Sequence, residues 1–331
     1  MILSYSLRLL FLCLASFFLL HALAGVAAWL AERPAIRLAE GASARSAARF
    51  LFWMRILPPG IALAFVAGVC VPSYLRYESN LAGEEVGFVC MALAVLGFLV
   101  WAFALARGLR AAIHSLQFER LCRRTGSTMR LAGEPSQMLV VEAPHAFLVQ
   151  SGVLRPRIVI SQPLLAGLSG AELDAALRHE RAHWAFRDNG KRLLFAFLPE
   201  ILPVGQAYGA IERAWAKVTE RAADDLASAS GPQEALLLAA ALVRLARLRG
   251  DTGMSTPLAR ASSSLAGLAD DDLRGRIERL LAPGPAASVR EPAYTRILWG
   301  AAGVLAAGAL ALLASPALLS SVHEVLERLV N

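Results

Sequence analysis

The chain has 331 residues, 56% of them hydrophobic, with a mean hydropathy of +0.52 and a formal net charge of +7. That hydropathy excludes an ordinary soluble domain and requires several membrane spans beside a smaller water-facing part. No nucleic-acid reading motif accompanies the basic balance, so nucleic acid is not an expected partner, and Cys13, Cys70, Cys90 and Cys122 form neither a disulfide framework nor a CxxC metal site.

Residues 9–31 form the first apolar run, long enough to cross a bilayer at helical rise. Ala22-Leu23-Ala24 before Gly25 resembles a signal-peptidase site, but the apolar character continues through Trp29 and Leu30, and an uncleaved span is expected. His21 within it is expected to face a neighbouring helix. The second run, about 56–75, opens on Pro58-Pro59-Gly60, which should kink its helix or delay its start. The third covers 86–106, and the fourth, Ile297 to Ser320, carries Gly300, Gly303 and Gly308 for close helix packing.

Charge between the runs gives an orientation. Segment 31–55 has five arginines against two glutamates, and 107–130 has six arginines against Glu119 alone. Segment 76–85 has Arg76 against Glu78, Glu84 and Glu85. The positive-inside rule then places 31–55 and everything from 107 to 296 in the cytoplasm, and both termini and the 76–85 loop outside. The expected organisation is three transmembrane helices in 1–106, a cytoplasmic α+β domain in 107–296, a fourth transmembrane helix in 297–320 and a short extracytoplasmic tail in 321–331. The setting implied is a bacterial-type inner membrane, with the lipid bilayer as an obligate partner.

The cytoplasmic part opens with a basic helical stretch, 107–124, and two β-rich regions follow. The first is Met138 to Val141. The second, Ala146 to Gln150, leads through Ser151-Gly152 into a strand from Arg155 to Ile160. Pro156 cannot donate to a ladder, so that last strand either lies at a sheet edge, where an extended substrate could pair with it, or is a core strand beginning just after the proline.

Ser169-Gly170-Ala171-Glu172 is a capping-box pattern that starts a helix running to about Asp188-Asn189-Gly190. On it stand His179 and His183, four residues apart and therefore on one face, so both imidazoles can reach a single metal ion. Glu180 between them is placed to activate a water, the arrangement of an HExxH zinc hydrolase. Leu193 to Ala210 is apolar but broken by Pro199, Glu200 and Pro203, which fits a helix hairpin against the inner membrane face or a buried core segment. A helix from about Ile211 to Ala229 then carries Glu220, a candidate third zinc ligand in a His-His-Glu set. Asp224, one turn later, could accept the other ring proton of a ligand histidine, while Asp225 points off that face. Helices over 233–249 and 270–281, a Ser/Gly-rich loop between them and a Pro/Gly linker over 282–287 complete the domain.

The set His179-Glu180-x-x-His183 with Asp188 beyond it, then Glu220-x-x-Ala223-Asp224, set between three upstream runs and one downstream, resembles the membrane metallopeptidases typified by the β-lactam sensor-transducers, peptidase family M56. Leu273 to Leu281 is also similar to that family. The resemblance implies a gluzincin-type zinc endopeptidase with His179, His183 and Glu220 as metal ligands, Glu180 as general base and Asp224 in support. It further implies a protein or peptide substrate, a transcriptional repressor among the options, and a place in regulatory signalling. The family's large extracellular sensor domain has no counterpart here. His145 and Tyr208 are candidates for oxyanion stabilisation. Two alternatives accompany this reading. One is the related family M48 of membrane quality-control and CAAX-processing peptidases, which shares HExxH and ExxxD; the other is a catalytically inactive membrane scaffold.

Overall fold

The computed structural model describes residues 4–78, 86–129, 138–153, 156–200, 209–249, 273–282, 315, 319–321 and 324. Among these, three helices are long and apolar enough to cross a membrane: α1 (Tyr5–Leu30), the continuous helix Ala44–Tyr77, and α5 (Phe88–Thr125). The expected fourth span, 297–320, lies almost wholly outside the described residues, as do the Ser/Gly-rich loop and most of the linker. The membrane-capable helices pack closely. A Cβ on Gly97 of α5 would lie 2.5 Å from the Leu14 carbonyl oxygen of α1, so only glycine permits that approach.

The second of these helices starts well before the proline pair. After the short α2 (Glu32–Glu40), α3 (Ala44–Phe65) is capped by Ser43, whose hydroxyl accepts from the Ser46 amide, and it runs through Pro58 and Pro59 without a break. The fixed φ of proline is itself helical and both rings are buried, so the chain forgoes ladder hydrogen bonds rather than turning away. The irregularity comes later, as a single π turn over Val66–Cys70, before α4 (Val71–Tyr77).

The water-facing end of α3 belongs to the same core as the downstream domain. Ala47, Ala48 and Leu51 of α3 and Ala39 of α2 form one buried cluster with Ile211, Trp215, Ala216 and Val218 of α9 (Gly209–Ala227) and Phe195 of α8 (Asp188–Phe197). Segment 31–55 and the domain after α5 therefore lie on the same side of the membrane-capable helices, as their shared positive charge requires.

Among the described residues the domain contains one mixed sheet of four strands in the order β1-β2-β4-β3: β1 (Ser127–Met129), β2 (Met138–Val141), β3 (Leu148–Ser151) and β4 (Arg157–Ser161). β2 runs parallel to β4 and every other pair is antiparallel. Of the two readings of the proline strand, the core strand holds. β4 begins one residue after Pro156 and is interior, so among the described residues the edge strands are β1 and β3. β1 escapes sequence reading because it is three exposed residues long.

Alternation along β2 buries both faces. Leu139 and Val141 pack with Phe118 and Cys122 of the α5 extension, while Met138 and Val140 pack with Leu164 of α6 (Gln162–Gly167) and with Leu173 and Leu177 of α7 (Gly170–Phe186). The sheet is thus clamped between α5 and the HExxH helix. α10 (Pro232–Arg249) and α11 (Leu273–Leu281) close the far side through Ala175, Ala227, Leu238 and Leu242.

The expected capping box is present. Ser169 Oγ accepts from the Glu172 amide at 3.3 Å, and Glu172 Oε2 accepts from the Ser169 amide at 2.8 Å. The helix stops short of the expected end because Arg187 adopts a left-handed conformation (φ 56°, ψ 38°) that terminates α7 and starts α8 with no intervening loop. The Ser169 amide first, and Arg244 after it, hold the Glu172 carboxyl below its ordinary value of 4.5. A depressed carboxylate stabilises the fold above its unfolded pKa and loses that contribution as pH falls through the folded value. Ser169→Ala is expected to cost about 1 kcal/mol, seen as a lower melting temperature of the detergent-solubilised protein. Glu172→Gln should flatten the decline in melting temperature below pH 4.5.

Candidate metal centre

The HExxH helix α7 presents His179 and His183 one turn apart, both buried, and α9 brings Glu220 against them. One ligand atom from each of these three residues lies within 4.8 Å of the others. His179 Nε2 and His183 Nε2 are 3.2 Å apart. Glu220 places Oε2 3.5 Å from His179 Nε2 and Oε1 3.5 Å from His183 Nε2. Two nitrogens bound to one tetrahedral zinc at about 2.0–2.1 Å stand about 3.3 Å apart. The donor set fits.

The outer ring nitrogens are occupied by carboxylates. His183 Nδ1 donates to Asp188 Oδ2 at 2.8 Å, and His179 Nδ1 lies 3.0 Å from Asp224 Oδ1, off the ring N–H axis. With the ring protons drawn to the Nδ1 side, both Nε2 lone pairs face the same point, which is repulsive unless a proton or a cation stands between them. The left-handed turn at Arg187 is what delivers Asp188, the first residue of α8, to His183.

Sequence reasoning passed over Arg276 of α11. It is buried, donates to both oxygens of Asp224 at 2.9 and 2.8 Å, and places Nη1 3.0 Å from Glu220 Oε2. Arg192 of α8 reaches Glu220 Oε1 at 3.4 Å. Asp225 points away as expected and pairs with Arg279 at 2.6 Å. Among the other candidates, His145 lies on the connection between β2 and β3 and does not line the cavity, and Tyr208 lies outside the described residues.

The charges are held largely away from solvent. Burial alone would depress the His183 imidazole, but the carboxylates of Glu220 and Asp188 outweigh it and raise its pKa to about 10. Burial likewise opposes the Glu220 charge, yet the two histidines hold that carboxyl well below its usual range. Asp224 is lowered to about 2, burial again being overcome by His179 and Arg276. Glu180 is different. Desolvation dominates there and pushes its carboxyl up, against the pull of the neighbouring histidines.

The cluster opens into a cavity whose polar wall includes Glu180, Asn189 and Arg192 and whose apolar wall comes from Leu164, Leu242 and Leu245. The edge strand β3 borders it with Leu148, Val149 and Gln150, and Asn189 ties α8 to that strand by donating to the Gln150 carbonyl at 2.9 Å.

Comparison with known proteins places this geometry in a family. A family model described as peptidase family M48 matches residues 115–282, just over half of the chain. A protease HtpX homolog from Archaeoglobus fulgidus is 35% identical over 74 residues, 22% of this chain and 22% of that protein, so the match spans about a fifth of the relative's length. No solved structure matches. The resemblance to family M56 is thereby corrected. Both families carry HExxH and ExxxD, motifs fixed by the needs of metal chemistry, and the count of upstream apolar runs does not separate them. Because a partner that orients a ligand histidine typically contributes 10–100-fold to metal affinity, Asp188→Ala should weaken binding of a divalent metal by that factor. Competition with a chelator measures it, with unchanged circular dichroism showing that the fold persists.

Proposed function

The chain belongs to peptidase family M48, and from that premise we propose that it is an integral-membrane zinc-dependent endopeptidase. The observation that carries the reading is the convergence of His179 Nε2, His183 Nε2 and a Glu220 oxygen on one point, with both Nδ1 atoms turned to carboxylates. In this proposal His179, His183 and Glu220 hold the zinc ion, Glu180 is the catalytic base, and Asp224 supports His179. When bound, the ion supplies Lewis-acid polarisation of the scissile carbonyl and acidifies a water.

The chain's own residues do the rest. Glu180, between the two histidines at the cavity wall, accepts a proton from the attacking water and returns it to the departing amine nitrogen. Asp188 and Asp224 fix the ring orientations, and Arg276 keeps Asp224 charged and bridges it to Glu220. An extended peptide lying in the cavity would run beside the edge strand β3.

The positive-inside argument supports a catalytic domain (107–296) on the cytoplasmic side of an inner membrane, with protein or peptide substrates that are cytoplasmic or membrane-proximal. Quality-control proteolysis, the role considered for the M48 alternative, fits this setting at least as well as regulatory cleavage. The signalling role and the repressor substrate rested on the corrected family resemblance and lose their support with it.

Glu180→Gln is expected to retain zinc and lose cleavage of an unfolded protein substrate by at least about 10²-fold. His183→Ala should lose the metal itself, seen as zinc content of the purified protein. Equal cleavage by wild type and Glu180→Gln would overturn the assignment.

A further inference from the structure

The two halves of the metal centre lie on consecutive elements. The histidines and Asp188 belong to α7 and α8, Glu220 and Asp224 belong to α9, and α8 ends at Phe197 while α9 begins at Gly209. Each of the three membrane-capable helices sends one basic side chain into the ends of that connection. From α1, His21 Nε2 donates to the Pro199 carbonyl at 3.2 Å, fully buried. From α3, Arg55, also fully buried, donates to Glu200 and Glu212, each at 2.8 Å. From α5, Arg107 meets the other Glu200 oxygen at 2.6 Å and donates to the carbonyls of Ala196 and Leu198 at 3.0 and 2.6 Å.

The two arginines and two glutamates of this node balance in charge. Glu212 lies in the first turn of α9, eight residues or about 12 Å before Glu220 along the helix. α5 comes so near the end of α8 that a Cβ on Gly108 would overlap the Phe197 ring at 2.2 Å.

Adhesion of α9 to α3 does not need these charges, because Leu51, Ile211 and Trp215 already pack there. Apolar packing, however, tolerates small sliding of one helix along another, whereas two directional bonds at 2.8 Å do not. A buried ion pair adds little net stability over an apolar replacement. Ligand distances at a metal must hold to within about 0.2 Å.

We propose that Arg55, assisted by Arg107 and His21, is a positioning residue of this site. The node, with Arg55 and His21 buried at its centre and the water-facing end of the membrane-capable helices around it, sets the end of α8 and the start of α9 relative to each other, and with them Glu220 relative to His179 and His183. The inference rests on the metallopeptidase reading above.

The test uses the full chain in detergent and in lipid nanodiscs. Arg55→Met alone leaves Glu212 without its cation and is expected to fold poorly, so the decisive variants are the triple Arg55→Met/Glu200→Gln/Glu212→Gln, which leaves only the half-exposed Arg107 charged, and the conservative Arg55→Lys. The triple variant is expected to melt within a few degrees of wild type. It should release zinc to a competing chelator at least about tenfold more readily, and cleave an unfolded protein substrate with kcat at least about tenfold lower and KM little changed. Arg55→Lys should recover most of both losses. A folded triple variant with wild-type zinc retention and kcat overturns the proposal, and so does a triple variant that cannot fold, which would make the node a stability element. If wild type binds zinc yet cleaves no protein, the peptidase reading falls while zinc retention still judges the node.

Discussion

Asp224 is completely buried, and its carboxylate stays charged there because Arg276 meets both of its oxygens with hydrogen bonds at 2.9 and 2.8 Å. A lone carboxylate in such a place would cost several kcal/mol of desolvation. The same guanidinium lies 3.0 Å from Glu220, and the same carboxylate lies 3.0 Å from His179. One ion pair between α9 and α11 therefore touches one carboxylate of the donor cluster and sets the surroundings of one imidazole. The second histidine has its own partner in Asp188. The two imidazoles are thus supported by two carboxylates, Asp188 and Asp224, more than thirty positions apart on consecutive helices.

The architecture distributes these supports widely. The sheet holds α7 from beneath, α10 and α11 close over α9, and the water-facing end of α3 completes the core on which α9 lies. The membrane-capable helices consequently do more than tether a separate enzyme. One of them supplies Ala47, Ala48 and Leu51 to the same cluster as Trp215, two turns along α9 from Ala222.

The parts of this site that obey a local period were legible from sequence. His179 and His183 at i and i+4, the box at Ser169 and Glu172, and the Glu220–Asp224 pair all follow from helical geometry within a few residues. Arg276 was not legible, since nothing links it to Asp224 but a tertiary contact across 52 positions. The role of α3 was hidden for a related reason. Hydropathy scores burial in lipid and burial in protein alike, so it marked where an apolar run begins at about residue 56 but not that the helix starts at Ala44 and carries domain core first. The family was misassigned because motifs dictated by metal coordination recur wherever that chemistry does, whereas the match to family M48 draws on the whole of residues 115–282.

The junction at Arg187 bears on how this site can change in length. A single left-handed residue joins α7 to α8, so the five-residue step from His183 to Asp188 is set by one pair of torsions. Inserting one residue there would turn Asp188 by about 100° around its helix and carry it away from the imidazole. The interval from His183 to Glu220 is under no such restriction, because Glu220 is placed by packing from other elements. Insertions and deletions should accumulate between α8 and α9 and be excluded between α7 and α8, which makes the short interval the better ruler for aligning distant relatives of this chain.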